Sequence, residues 1–422
     1  MRDFGHTGPQ PKAPEQATQG ASINIGDYYT YTKGQRTWIK ENAKNLLFSR
    51  NSDQDFRKKF INRRLGRGDR QDVGLYINFV SMTQSEKDAN DWDSYIATYG
   101  DGTFVQIDRA EGLEEEYLCK FWTTEWLDTR LSTMPNYESN PTLGKTNLTY
   151  LFLDLCNLYP VPLLAGTPPV MEPEAWRTSM LSALHYMRTR IDFSVKLIPN
   201  CVRAQIGING YVQDPEAFFP YDGSDAIGQG YGNMGLIEMT MNWGAEQPEV
   251  QTLFASLRTM RRLAKAGVPV YSTWHCPEDD LAARYNGLAA FMQIYTPGLT
   301  QYGATTGKFA NSPPRAYPEN NIDFGAAAST DAGNIDPMFE VNKGITLKVF
   351  AREFANGTVA IFNGTASEQS IPESYASWRL IKFNEEVEIN DRGDWEGAII
   401  LSRLAPQAKI LPFTGAILRK PT

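Results

Sequence analysis

Short apolar runs that each lead to a single polar residue recur along the chain at intervals of roughly 40 residues, with helix-forming segments between them. Leu151-Phe152-Leu153 ends in Asp154, Leu197-Ile198 leads to Asn200, Leu236-Ile237 ends in Glu238, and Ser272-Thr273-Trp274 ends in His275. Each run is long enough for one buried strand, and the intervening stretch holds one helix. A succession of such units demands a parallel sheet, because consecutive strands joined through a helix must run the same way. Further strand-like runs lie at 23–31, 46–49, 73–80 and 299–302, and helical patterns at 35–42, 52–65, 172–190, 248–266 and 279–295. Eight repeats favour a closed (β/α)8 TIM barrel over an open doubly wound sheet. No GxGxxG or GxxxxGK[ST] follows a strand, which removes the usual nucleotide-binding reading.

The remaining segments divide the chain further. Residues 1–22 are rich in Pro, Gly, Gln and Ala without apolar periodicity, the composition of an extended arm that needs a partner chain or a surface groove to hold it. The barrel is expected over 23–303, interrupted at 83–147 by an insertion that carries Trp92, Trp122, Trp126 and the turn Tyr99-Gly100-Asp101-Gly102. Residues 304–340 read as a linker or a wrapping loop. From 341 to 422 the pattern changes to short alternating strands, with Asn356-Gly357 as a hairpin signal between two of them. A small β-sandwich is expected there.

A net charge of −8 excludes the basic face that nucleic acid requires. The dense basic run from Arg57 to Arg70 is interleaved with Phe56, Phe60, Ile61 and Leu65 and reads as the solvated face of a helix. No stretch approaches the roughly 20 apolar residues of a membrane span. The opening residues Met1 to His6 lack the basic-then-apolar layout of a signal peptide, so a soluble location is expected, in a virion or otherwise in the cytoplasm. Four dispersed cysteines and three histidines make no metal-binding spacing, and no cofactor is expected.

Asp154 and Glu238 stand two repeats apart at strand ends. In a barrel the C-terminal strand ends build one active site. Two carboxylates across a cleft are the apparatus for hydrolysing a glycosidic bond. Asp154 is the candidate nucleophile or base, and Glu238, flanked by Ile237 and Met239, the candidate general acid. Asn200 suits a sugar hydroxyl. Trp274, His275, Tyr28 and Tyr302 lie at the same strand ends, where aromatic faces stack on pyranose rings. His275 beside Cys276 makes no catalytic dyad, because neighbouring side chains on a strand leave opposite faces.

These residues resemble a family of glycoside-hydrolase-like TIM barrels with a C-terminal β-domain. The resemblance rests on Trp92 with Asp101-Gly102, on Leu151-Phe152-Leu153-Asp154, on Gly235-Leu236-Ile237-Glu238, on Arg352-Glu353-Phe354-Ala355-Asn356-Gly357-Thr358-Val359, on Ala360-Ile361-Phe362-Asn363 and on Gly415-Ala416-Ile417-Leu418. It implies a carbohydrate-active protein that binds and cleaves a surface polysaccharide. The chain departs from the pattern at Thr149-Tyr150 and at Met239-Thr240-Met241. The alternative is a non-catalytic subunit of a virion or tail assembly, joined to other protein chains through its N-terminal arm.

Overall fold

The structure is a computed structural model that describes residues 21–25, 30–48, 72–108, 114–133, 148–156, 158, 160–161, 163, 166–191, 195–199, 235–239, 257, 260–261, 270–275, 281–296, 300–305, 314–322, 324–325, 349–384 and 387–421. The chain divides into two compact units, one made of Met1–Leu46 with Ile237–Thr422 and the other of Leu47–Leu236. In chain order the first elements are β1 (Ala21–Ile25), α1 (Lys33–Asn42), β2 (Ala43–Phe48), β3 (Asp72–Asn78), β4 (Ser81–Thr83), α2 (Gln84–Asn90) and β5 (Glu116–Leu118). They are followed by α3 (Thr124–Ser132), β6 (Leu148–Asp154), α4 (Pro173–Arg190), β7 (Lys196–Pro199), β8 (Gly235–Met239), β9 (Val270–His275), α5 (Leu281–Met292) and β10 (Thr300–Thr305). The C-terminal strands are β11 (Val349–Glu353), β12 (Thr358–Asn363), β13 (Gln369–Ser370), β14 (Arg379–Phe383), β15 (Ile399–Arg403), β16 (Lys409–Ile410) and β17 (Gly415–Arg419). Parallel strands with helices between them thus precede antiparallel β structure.

Within the unit Leu47–Leu236, β3, β6 and β7 pair in parallel, with Ile77 opposite Leu153 and Leu153 opposite Pro199. Side chains alternate between the faces of a sheet. One face carries Leu75, Ile77, Leu151, Leu153 and Leu197, all buried. Helix α4 places Trp176, Met180, Leu184 and Met187 at helical spacing and buries all four. Its Tyr186 hydroxyl donates to Asp128 of α3 at 2.9 Å. The helix opens with Pro173 at its first turn, where the missing N–H costs nothing.

The insertion folds onto the end of β3 through donors that reach its last carbonyls. Trp126 Nε1 donates to Phe79 O at 2.6 Å and Arg130 Nε to Asn78 O at 2.6 Å. Arg130 is buried, pairs with Glu86 at 3.2 Å and lies over the rings of Trp92 and Trp126. The turn at 99–102 forms as expected. Gly102 N–H bonds Tyr99 O, and Gly102 takes a φ of 87°, a conformation open to glycine.

In the other unit β9 and β10 are parallel, and β8 lies on the far side of β9. The C-terminal strands form an antiparallel sheet in the order β11-β12-β17-β14-β15, with β13 and β16 as a separate pair. Strand β12 is buried throughout, as its unbroken apolar run Val359-Ala360-Ile361-Phe362 requires. One face of the sheet holds a cluster of Val359, Ile361, Ile410, Ala416 and Leu418, edged by Trp378 and Leu380. Helix α5 covers the other face. Tyr285 hydroxyl takes Ile417 N–H at 2.7 Å, and Gln293 Nε2 donates to Ala360 O at 2.9 Å. A Cβ on Gly415 would stand 2.3 Å from Ala289 Cβ and 2.8 Å from Ile361 O, so glycine is what lets the helix approach this closely. The layering is therefore helix, sheet and strand pair, where the sequence suggested a sandwich of strands alone.

Two further contacts complete this unit. Arg284 of α5 and Glu319 form a fully buried ion pair, Nε to Oε1 at 2.9 Å and Nη2 to Oε2 at 2.5 Å. Helix α1 docks on the segment 389–393: Gln35 Nε2 donates to Ile389 O at 3.1 Å and Thr32 Oγ1 to Asp391 O at 2.7 Å. Gly34 and Gly393 meet backbone to backbone there, since a Cβ on Gly393 would lie 2.5 Å from Gly34 O. Gln35 also closes a capping box with Thr32, so one side chain both starts the helix and anchors it.

Residues 1–20, the helix expected at 52–65 and its basic face lie outside the described residues. Ala21 and Ser22, expected within the arm, open β1.

Candidate functional site

The polar face of the parallel sheet is where the chemistry concentrates. Strand β3 contributes Tyr76 and Asn78, and β6 contributes Phe152 and Asp154. Tyr76 is the register partner of Phe152, and Asn78 of Asp154, so all four side chains leave the same face. Gly74 belongs to this face too, and the ring of Tyr150 occupies the space that a Cβ there would fill. The rings of Tyr76 and Phe152 stack with centroids 5.7 Å apart. At the C-terminal end of the face the apolar surface gives way to a carboxylate, an amide and a phenol.

Asp154 terminates β6. Its Oδ1 accepts the N–H of Leu155 at 2.9 Å, and its Oδ2 accepts the hydroxyl of Tyr76. Both carboxylate oxygens accept hydrogen bonds, which fixes the rotamer, and the residue remains half-buried. Leu155 takes a φ of +53°, the left-handed region. A branched residue adopts it at a cost, and the turn brings its N–H onto the carboxylate. The Cys156 thiol donates to Leu153 O at 3.2 Å, closing the strand end from below. The arrangement holds an oriented carboxylate with a tyrosine proton beside it.

Behind it lies a second polar group. The Asn78 amide donates to Glu116 Oε1 at 2.8 Å and to Ser81 Oγ at 2.6 Å, and its oxygen accepts the N–H groups of Val80 and Ser81. The Ser81 hydroxyl also donates to Glu116. Glu116 is 4% exposed. These bonds tie β3 to β4 and β5, so Asn78 and Glu116 support the strand end rather than open onto solvent. Tyr76, Asn78 and Glu116 are not among the site residues that the sequence predicts. Alternation along strand 3 puts the first two on one face, but their nearness to Asp154 comes from the register of β3 against β6.

The other expected residues are placed as follows. Glu238 is the fourth residue of β8, and Trp274 and His275 are the last two of β9, paired in register with Ala304 and Thr305 of β10. The side chains of Glu238, Trp274 and His275, and all of Tyr28 and Asn200, lie outside the described residues. Asp154 and Glu238 belong to different compact units. Tyr302 is 1% exposed, donates its hydroxyl to Arg284 O at 3.3 Å and packs its ring 5.4 Å from Phe291. It fills the core here, because β10 turns that position toward α5 and not toward a rim.

Among the described residues, no group of three His, Cys, Asp or Glu side chains converges to hold a metal ion, and no helix is long and apolar enough to cross a membrane. Cys119 and Cys156 are buried free thiols, and burial pushes the Cys119 thiol well above its usual range. Asn363, which carries a glycosylation sequon, is fully buried with its amide donating to Ser367, Ile410 and Leu411 carbonyls.

No protein-family model matches the chain, and no curated protein does. Solved structures similar to it include the glycoside hydrolase domain of PelA from Pseudomonas aeruginosa, at 11% identity over 68% of this chain and 95% of that one, with a TM-score of 0.42. A noncanonic maltogenic α-amylase from Thermotoga neapolitana matches at 8% identity, 94% and 97% coverage and a TM-score of 0.41. A GH31 α-xylosidase from Xanthomonas citri matches at 10% identity and a TM-score of 0.40, with 98% of this chain spanning 47% of that one. These likenesses are loose, and the architecture given above rests on the chain's own strands and register.

Proposed function

We propose that the chain is a carbohydrate-active protein that binds a polysaccharide and hydrolyses its glycosidic bonds with Asp154 and Glu238, at the mouth of a barrel that its parallel strands close. The observation that carries the reading is Asp154 itself: a half-buried acid at the C-terminal tip of a parallel strand, held by Tyr76 and the Leu155 N–H. Parallel α/β architectures bind their ligands at that end.

Asp154 attacks the anomeric carbon or activates water, and Glu238 delivers a proton to the leaving oxygen. Tyr76 positions Asp154. Separation of the two carboxyl groups by about 5 to 5.5 Å corresponds to retention of configuration, and by about 6.5 to 9.5 Å to inversion. Asn200, Trp274 and His275 are the proposed sugar contacts, reasoned from their strand-end positions.

The test is a panel of purified polysaccharides assayed for reducing ends. Glu238→Gln keeps shape and hydrogen bonding but removes the transferable proton, so turnover falls by roughly 10² to 10⁴ while binding persists. Asp154→Asn does the same. Cleavage that continues undiminished in both variants refutes the assignment. Glycan binding without cleavage by the wild type identifies a non-catalytic binding subunit instead.

A further inference from the structure

Strands β17, β14 and β15 lie side by side in the C-terminal sheet, and their register brings three arginines into one row. Arg379 of β14 pairs with Arg419 of β17 on one side and with Arg403 of β15 on the other. Residues directly opposite one another leave the same face of a sheet, with Cβ atoms about 4.5 to 5.5 Å apart. The three positive charges are therefore neighbours. By alternation the same face of these strands holds Ile381 and Phe383, Ile399 and Leu401, and Gly415 and Ile417, so none of their residues there supplies an acid. Arg379 and Arg403 are exposed, and Arg419 is half-buried. Among the described residues, the side chains of Arg379 and Arg403 form no ion pair and no hydrogen bond.

Like charges directly opposite one another destabilise a sheet, and Arg379 meets one on each side. No acid on its strands offsets this. An anion laid along the row relieves both repulsions. Guanidinium groups present paired N–H donors to carboxylate or sulfate oxygens and keep their charge at any ordinary pH. Neighbouring strands are about 4.8 Å apart, so the row extends roughly 10 Å and calls for an anion whose charges repeat along a line. Ile399 and Leu401 continue the same face beside Arg403 and are exposed, which gives the C–H face of a sugar ring an apolar surface to pack on.

We propose that the row Arg419-Arg379-Arg403 is a binding strip for an acidic polysaccharide, a chain whose sugars carry carboxylate or sulfate groups. The class of polymer rests on the proposed function, and the row adds its charge. Two other polyanions fit less well. Duplex nucleic acid is held through many phosphate contacts, which three arginines on a chain of net charge −8 do not supply. An anionic membrane takes up apolar side chains that reach past the cations around them, whereas the exposed neighbours of these arginines are the shorter isoleucine and leucine.

Isothermal titration calorimetry on the full chain, with polygalacturonate, dextran sulfate and uncharged dextran as probes, tests this. At least one acidic polymer is expected to bind, more weakly as salt rises, and dextran is not. Which of the two binds tells carboxylate from sulfate. Arg379→Gln combined with Arg403→Gln is expected to weaken that binding by at least roughly tenfold, since two charge-assisted contacts are lost. Its melting temperature should be unchanged or higher, because the repulsion is lost with them. Lys382→Gln removes a charge from the opposite face of β14 and leaves binding intact. The proposal is overturned if neither acidic polymer binds, if dextran binds as tightly, if the double variant binds like the wild type, or if Lys382→Gln loses as much. A lowered melting temperature in the double variant overturns it too, since the arginines then serve the fold. So does tighter binding to duplex DNA or to phosphatidylserine vesicles. Acidic polymer bound by a chain that cleaves no glycan upholds this inference and defeats the proposed hydrolysis, and cleavage of a neutral glycan with no acidic polymer bound does the reverse.

Discussion

Removing the negative partner of the Arg284–Glu319 pair leaves a guanidinium charge where neither side chain has any solvent exposure. Two contacts of 2.9 Å and 2.5 Å hold the pair, and the rings of Tyr317 and Phe383 lie 5.0 Å and 5.3 Å from the guanidinium carbon. Burial by itself lowers the Arg284 pKa, but the bonds to Glu319 and its charge outweigh that and raise it, so the arginine stays ionised. With charge centres about 4 Å apart and an effective dielectric near 20, the attraction is about 4 kcal/mol. Breaking a buried pair from one side costs about 3 to 5 kcal/mol, because the remaining charge is uncompensated. Glu319→Gln is therefore expected to lower the melting temperature of its unit by roughly 6 to 20 °C. Replacing both residues, Arg284→Met with Glu319→Leu, should recover most of that loss. Urea unfolding followed by near-UV circular dichroism measures both variants. A Glu319→Gln loss under about 1 kcal/mol, or a double variant no better than the single, refutes the reasoning.

Three other outcomes follow from contacts described above. Gly415→Ala forces a methyl to within 2.3 Å of Ala289 Cβ, so thermal unfolding should show a destabilisation of about 1 to 3 kcal/mol, and an unchanged midpoint would show that α5 is free to shift. Burial first, and then the bond and charge of Glu353, push the Tyr375 hydroxyl up to about 12 from an ordinary 10.0. The unfolded chain thus loses that proton at lower pH than the folded one, and stability contributed by Tyr375 declines as pH rises between those values; Tyr375→Phe should flatten that decline in a pH series of urea midpoints. Cys119 and Cys156 should resist iodoacetamide at neutral pH until the chain is unfolded, as peptide mapping by mass spectrometry will report, and rapid labelling of either would contradict their burial.

The alternation of strands and helices was legible because each described run is apolar at strand or helix length, and β6 ends at Asp154 where the pattern stops. The hairpin at Asn356-Gly357 was legible from turn chemistry, and Gly357 does take a positive φ of 77°. What periodicity could not convey was partnership across distance. Nothing in Leu281–Met292 distinguishes a helix that covers the C-terminal sheet from one that covers its neighbouring parallel strands. The deciding feature is Gly415, 126 positions beyond Ala289, whose missing Cβ admits the helix. Tyr302 was misplaced for the same reason: a tyrosine at a strand's end suits a rim or a core equally, and the choice depends on what lies opposite. At the site, Asp154 was readable as a strand-terminal acid. Tyr76 was not, because its bond to Asp154 depends on the register of β3 against β6.

The docking of α1 on residues 389–393 has a consequence for the order in which the molecule is made. Gln35 leaves the ribosome 354 residues before the Ile389 carbonyl it bonds. At translation rates of about 5 to 20 residues per second, that interval is roughly 20 to 70 s. Through all of it, the Ile389 carbonyl and the Gly393 backbone on which α1 docks are not yet made, although the residues of the unit Leu47–Leu236 are complete well before. The nascent chain must therefore keep its first helix in reserve while an entire unit is synthesised behind it, and a message cut short before residue 389 leaves that helix permanently without its seat.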